Sequence, residues 1–399
     1  MARIAAVVFL LTCGVVAAVG FVGAPSCFHL VAAPHSFAAS AQGHVAPPYL
    51  CGSLPVLRAR SMSKKSSGVL SLTAGKKKIA DLGDVRVAVL GGGSFGLAMA
   101  SVIGGKGFPV QMLMRKQTAV DYFNKHHMSE SYIKGVKLPL SVRATTSVEE
   151  ALSDATYVIH AVPVQYSRQY LRDIRSVLPE NCPIICTSKG IETGSLSLMQ
   201  DILKEEMGAQ REYAFLSGPS FAREIAAGLA TAVVVASESD KFANQIAELF
   251  GCETFRVFTS RDVVGVEIGV AVKNVIAIAA GMAEGLGLGT NAQAGLVTRG
   301  CLEMQTLARS LGASPNTLMG LSGVGDTFGT CFGPLSRNRN LGIRLGQGEE
   351  IKDILASSTE VACILINILR FFSLMEFLQK KLSCFYIYYS YLLLLLLCI

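Results

Sequence analysis

The run Val85-Arg86-Val87-Ala88-Val89-Leu90, followed at once by Gly91-Gly92-Gly93-Ser94-Phe95-Gly96, constrains this chain more than any other feature. A short, mostly β-branched apolar run reads as a buried strand. The glycines after it fall in a G-x-G-x-x-G spacing, and the apolar residues 97–103 read as a helix. Strand, tight turn and helix in that order form the context in which this motif cradles the pyrophosphate of a dinucleotide. Gly91 permits the turn, Gly93 lets the backbone approach the phosphates, and Gly96 lets the helix pack on the sheet. The helix N-terminus then offers free N–H groups and a partial positive charge to the anion.

The alternation continues. Apolar runs at 109–114, 157–162, 183–187, 214–216, 231–236 and 255–258 are separated by helical stretches. This predicts an α/β fold with a doubly wound parallel sheet. In such sheets ligands gather at the carboxyl ends of strands, where Pro163, Lys189 and Gly218 fall. His160 lies within a strand and is expected in the core. The second strand ends at Arg115-Lys116 rather than at an acid. A cation pair there suits a ribose 2′-phosphate, so NADPH is expected over NADH.

The second half changes character. Residues 262–286 are nearly all apolar or small, which predicts a helix buried on most sides, yet Glu267, Lys273 and Asn274 lie inside it. A buried lysine is costly unless paired or functional, and burial lowers its pKa toward the range useful for proton transfer at neutral pH. A second helix is expected over 293–311, then a glycine-rich turn, Gly323-Val324-Gly325-Asp326, carrying one acid. Ser336-Arg337-Asn338-Arg339-Asn340 interleaves two guanidiniums with amides and a hydroxyl. That composition predicts a fork-shaped anion site, and so a substrate with a phosphate or carboxylate. No His/Cys cluster has metal-ligand spacing, so no metal is expected.

The net charge of +7 over 399 residues is uneven. Residues 1–80 carry eight Lys/Arg and no acid, leaving residues 81–399 at −1. A basic nucleic-acid footprint is therefore not supported. Arg3, the apolar run 4–22 and Pro25 read as a signal peptide, and the Ser-, Ala- and Lys-rich residues 26–80 have the composition of an organelle transit segment. Together they resemble the bipartite leaders of proteins sent to complex plastids; plain secretion is the alternative. Five cysteines in the globular part (Cys182, Cys186, Cys252, Cys301 and Cys331) make an odd number and suit a reducing compartment. Residues 363–399 are strongly apolar and end in a leucine run. They read either as a tail anchor, the one route to a membrane, or, on the favoured reading, as sequence foreign to the domain.

Several segments carry a resemblance to a known family. Ser188-Lys189-Gly190, SGPSFAREIAAGLATA (217–232), GVAVKNVIAIAAGMAEGLGLGTNAQAGLVTRG (269–300), GVGD (323–326) and SRNRNLGIRLGQG (336–348) closely resemble NAD(P)-dependent glycerol-3-phosphate dehydrogenase of the bacterial and plastid type. The resemblance runs from about residue 85 to Ala362. It implies a Rossmann-like domain over 81–260 and a helical substrate domain over 261–362, resembling that of 6-phosphogluconate dehydrogenase and here incomplete, between the leader over 1–80 and the anomalous tail over 363–399. It further implies interconversion of dihydroxyacetone phosphate and sn-glycerol 3-phosphate by a homodimer, in glycerophospholipid biosynthesis. By the same resemblance Lys273 is the proton donor and acceptor with Asn274 beside it, and Lys189 contacts substrate and cofactor. Gly218, Ser220, Asp326, Ser336, Arg337 and Asn338 complete the substrate pocket. Gly91, Gly93, Ser94, Phe95, Gly96, Arg115, Ala222 and Arg337 contact the nucleotide. Rival readings are a related β-hydroxyacid dehydrogenase, a non-catalytic nucleotide-binding protein and a tail-anchored membrane protein.

Overall fold

A computed structural model describes residues 84–192 and 194–357. The leader and the apolar tail lie outside the described residues. In chain order the elements are β1 Val87–Leu90, α1 Ser94–Gly105, β2 Val110–Leu113, α2 Gln117–His126, β3 Val142–Thr145, α3 Val148–Leu152, β4 Tyr157–His160, α4 Val164–Ile174, β5 Ile184–Cys186, α5 Met199–Met207, β6 Tyr213–Ser217, α6 Ala222–Ala226, β7 Thr231–Ala236, α7 Asp240–Phe250 and β8 Phe255–Ser260. Helices alone follow among the described residues: α8 Val263–Gly285, α9 Gly289–Ser310, α10 Pro315–Met319, a π-helical turn Leu321–Gly325, α11 Asp326–Phe332, α12 Arg337–Gly346 and α13 Ile351–Ala356.

The eight strands form one sheet in the order β3-β2-β1-β4-β5-β6-β7-β8. Both faces are covered, and the period-two alternation of a strand sorts side chains between them. In β1, Val87 and Val89 join one apolar cluster with Leu97 of α1 and Phe250 of α7. Ala88 and Leu90 join the opposite cluster with Leu171 of α4 and Leu203 of α5. A continuous apolar run is thus the signature of a strand buried twice.

Two features differ from the sequence expectation. The sheet is not wholly parallel: β7 pairs antiparallel with β6, Leu216 facing Val235, and β8 then runs parallel to β7. A run such as TAVVVA carries the same apolar pattern in either direction, so periodicity holds no information on strand sense. The edge strand β3 was not expected either, because its four residues include the exposed Arg143 and break the apolar signal.

The third cluster surrounds α8, with Ile268, Ile276 and Ala280 packed against Val297, Met304 and Leu307 of α9. Helix α8 meets α12 through glycines. A Cβ on Gly281 would lie 2.1 Å from the Arg339 carbonyl oxygen, and one on Gly342 would lie 2.1 Å from that of Ile278. One turn on, Gly285 and Gly346 repeat the arrangement against Ile343 and Met282. Side chains are excluded from this seam, so main chain packs on main chain.

Both polar motifs of this half are helical, not loops. Gly323 and Gly325 form the π-helical turn, and Asp326 opens α11. Ser336 caps α12, accepting the backbone N–H of Arg339, so Arg337 and Asn338 occupy the first turn of that helix. A polar run with Ser at its head and Leu341 and Leu345 four residues apart is a capped amphipathic helix.

Candidate active site

Lys273 projects from the middle of α8 and is 6% exposed. Its ammonium lies 2.5 Å from Asp326 Oδ1 and donates to Thr330 Oγ1 at 3.0 Å. The Thr330 hydroxyl in turn donates to the Asp326 carbonyl one turn back, at 2.6 Å. Asp326 also faces Lys189, whose Nζ lies 3.4 Å from Oδ2. One buried carboxylate therefore lies between two lysines from opposite halves of the fold. Burial pushes the Lys273 pKa down, and the neighbouring Lys189 charge pushes it further. Asp326 opposes both, and the result is about 8. A lysine so placed carries a proton at neutral pH and can release it at small cost.

Lys189 also connects this pair to the glycine-rich turn, since its Nζ sits 5.5 Å over the Phe95 ring. Gly91 has φ +111, and its α-carbon is pressed to the end of β4: a Cβ would lie 2.9 Å from the Ala161 carbonyl oxygen. Gly96 has no room either, because its Cβ would meet the Gly91 carbonyl oxygen at 2.0 Å. Gly93 is the opposite case, with open space where a Cβ would stand. It precedes α1, whose first N–H groups have no side-chain cap and whose first turn has no acid. An open cradle over uncapped amides fits a dinucleotide pyrophosphate. Ala222 opens α6, which packs against α1. Arg115 is exposed just beyond β2, and its charge is felt by the Tyr170 phenol, which burial pushes up to about 12.

On the far side, Asn338 Nδ2 donates to Asn274 Oδ1 at 2.7 Å, next to Lys273 in sequence. Asn338 Oδ1 is buried and has no partner among the described residues. Arg337, at the start of α12, is exposed. Ser336 is 3% exposed and spends its oxygen on the helix cap. The expected pair of guanidiniums is not a fork: Arg339 turns away to Glu284 at 2.6 Å. Arginines two apart on a helix point in different directions, which the interleaved pattern concealed. Gly218 follows β6 with φ +134, its Cβ position 3.0 Å from Val233 Cα, and the Ser220 hydroxyl donates to its carbonyl at 2.8 Å.

Thr330 went unnoticed in the sequence, although it stands four residues after Asp326 and so shares its helix face. His160 is fully buried, as its strand position implied, and bonds Ser167 at 2.8 Å. The five cysteines within the described residues are all free.

The family model for the N-terminus of NAD-dependent glycerol-3-phosphate dehydrogenase matches residues 86–243, and that for its C-terminus matches residues 262–381. The second match continues past Ala362, into the apolar segment. The chain is 46% identical over 280 residues to glycerol-3-phosphate dehydrogenase [NAD(+)] 2, chloroplastic, of Arabidopsis thaliana, covering 69% of this chain and 67% of that protein. It is 45% identical over 279 residues to glycerol-3-phosphate dehydrogenase [NAD(P)+] of Nitratidesulfovibrio vulgaris strain DP4, covering 70% of this chain and 84% of that one. The crystal structure of glycerol-3-phosphate dehydrogenase from Coxiella burnetii superposes with a TM-score of 0.70 at 33% identity, over 75% of this chain and 90% of that chain. Sequence, fold and the paired family models agree: the chain belongs to the NAD(P)-dependent glycerol-3-phosphate dehydrogenase family.

Proposed function

We propose that this protein interconverts dihydroxyacetone phosphate and sn-glycerol 3-phosphate, with Lys273 as the proton donor and acceptor. The observation that carries this reading is the Lys189–Asp326–Lys273 arrangement, which puts a readily deprotonated ammonium between the glycine-rich turn and the start of α12. A nicotinamide dinucleotide held there would supply reversible hydride chemistry at the substrate C2. Gly91, Gly93, Ser94, Phe95 and Gly96 would hold its pyrophosphate side, Arg115 its ribose, and Lys189, Ala222 and Arg337 its further contacts.

The remaining work falls to the chain's own groups. As C2 is reduced, charge develops on the carbonyl oxygen. Lys273 Nζ delivers its proton there, and Lys189 adds positive potential that stabilises the developing charge. Asp326 and Thr330 fix the Lys273 ammonium so that its remaining N–H bonds are satisfied while one proton moves. In the oxidising direction the same nitrogen, then neutral, accepts the hydroxyl proton. Arg337 and Asn338 hold the substrate phosphate and orient C2, and Ser336, Ser220 and Gly218 would complete the pocket as the family resemblance implies. The reading of residues 81–260 as the dinucleotide domain and 261–362 as the substrate domain is part of this proposal. So are a plastid address and a homodimer. The basic, acid-free first 80 residues and the chloroplastic designation of the Arabidopsis relative support the address.

The test is steady-state NADPH oxidation by the full chain with dihydroxyacetone phosphate, beside Lys273→Met and Arg337→Ala. The expected result is activity in the wild type and a loss on the order of 10²-fold or more in kcat for Lys273→Met. For Arg337→Ala, KM should rise strongly for dihydroxyacetone phosphate and much less for uncharged dihydroxyacetone. A Lys273→Met enzyme with near-normal kcat would sink the assignment.

A further inference from the structure

The connection from β5 to α5 carries Lys189, and it is pinned from one side by a single helix. Arg168 of α4 donates Nε to both oxygens of Glu192 at 3.0 Å and one terminal nitrogen to Glu192 Oε2 at 2.8 Å. Glu192 stands three residues after Lys189. One helical turn before Arg168, Gln165 Nε2 donates to the carbonyl of Ile191 at 2.9 Å. The Ser188 hydroxyl donates to the Val162 carbonyl, just before α4, at 2.6 Å. The other end of the guanidinium reaches Glu205 at 2.5 Å and Glu206 at 2.8 Å, both on α5. Arg168 thus spans α4, α5 and the Lys189 connection, with its side chain 22% exposed. Burial pushes the Glu192 carboxyl up, but bonds from Arg168 and Ser195 outweigh it and hold the group below the usual range.

We infer that Arg168 is a positioning residue which, through Glu192, holds Lys189 against Asp326 and Lys273. The inference rests on the proposed proton-transfer role of Lys273. Glu192 is a multiply bonded partner, and a bidentate guanidinium–carboxylate pair fixes orientation as well as distance. Among the described residues the ion pairs of Arg168 are with Glu192, Glu205 and Glu206, not with Lys189's neighbour Asp326. The effect of Arg168 is carried by the main chain of Gly190 and Ile191, the two residues between Lys189 and Glu192.

The consequence is electrostatic. The charges facing Lys273 are Lys189 from the β5–α5 connection and Asp326 from α11, with the Cys331 thiol of α11 beside them. Lys189 is the group among these that lowers the Lys273 pKa. If the Glu192 tether is cut and Lys189 withdraws, burial alone is left to oppose Asp326 at Lys273. The Lys273 pKa then rises, and the pH at which the reduction rate declines moves up with it.

The experiment measures kcat and the pH profile of kcat/KM for dihydroxyacetone phosphate reduction in the full chain. The variants are Arg168→Met, Arg168→Lys, Glu192→Gln and Arg172→Met. Arg172 is the control, because its hydrogen bonds, through two nitrogens, go to Glu206 of α5 rather than to Glu192. Arg168→Met and Glu192→Gln should lose about 10- to 100-fold in kcat. Both should move the alkaline pKa up by about half a unit or more. Arg168→Lys should recover part of each effect, and Arg172→Met should leave both unchanged. If Arg168→Met does not fold, the near-isosteric Glu192→Gln carries the same test. Wild-type kcat and an unmoved alkaline pKa in Glu192→Gln would overturn the inference. So would Arg172→Met matching Arg168→Met in both readouts, which would make the network a helix clamp only. An inactive wild type would overturn the functional proposal instead, so the two failures are distinct.

Discussion

Asn338 Nδ2 donates a hydrogen bond to Asn274 Oδ1 across 2.7 Å, and this bond joins the first turn of α12 to the residue beside Lys273. The proposed phosphate site and the proposed proton donor are coupled through it. Replacing Asn274 or Asn338 by Ala should raise the KM for dihydroxyacetone phosphate. The double variant should cost less than the sum of the two, with a coupling of about 1 kcal/mol or more. Strictly additive effects in the double-mutant cycle would show that the two amides act independently.

The Lys273 pKa of about 8 fixes the sign of the pH dependence. Reduction needs the ammonium, so kcat/KM for dihydroxyacetone phosphate should be level at neutral pH and decline as pH rises through about 8. Oxidation needs the neutral amine, so kcat/KM for glycerol 3-phosphate should climb through the same region. Profiles that share one direction in both reactions would exclude Lys273 as the titrating group.

Cofactor choice should respond to Arg115. A carboxylate at that position repels a 2′-phosphate and accepts from a 2′-hydroxyl. Arg115→Asp should therefore shift the ratio of kcat/KM from NADPH toward NADH. If the ratio does not move, Arg115 takes no part in the discrimination.

Glu267 should make the fold sensitive to alkali. Its Oε1 accepts the Gln200 backbone N–H at 3.2 Å, while Oε2 is buried with no partner among the described residues. Burial pushes its pKa up to about 8, with Asp201 adding to the shift and the Gln200 and Met199 backbone bonds and Lys204 opposing it. A carboxyl whose folded pKa is raised favours the folded state fully below its unfolded pKa. That contribution is lost as pH climbs from about 4.5 through about 8. Glu267→Gln should match the wild-type Tm near pH 4 and exceed it by about 3 °C or more at pH 9. A Tm difference constant with pH would show that Glu267 does not titrate in this window.

The sequence carried much of this site because its parts are chemically out of place. A lysine inside an apolar run and glycines after a β-branched run are visible without coordinates. Partnership was less visible. Arg168 and Glu192 are 24 residues apart and lie in two ordinary polar stretches, so no local pattern joins them. Arg339 showed the reverse error, where a charge that looked functional pairs with Glu284. Strand sense was hidden too, because β7 is apolar whichever way it runs.

The glycine seam between α8 and α12 has a consequence for what the site can accept. Lys273 stands on one helix and Arg337 on the other, and main-chain atoms set the spacing between those helices. No rotamer change can lengthen or shorten it. On the proposed mechanism the pocket is a caliper with locked jaws. It gauges the span from a phosphate to a reducible carbonyl, and a substrate longer or shorter by one carbon brings the wrong atom to Lys273. Gly342→Ala, whose Cβ would lie 2.1 Å from the Ile278 carbonyl oxygen, would open those jaws without altering a single polar side chain.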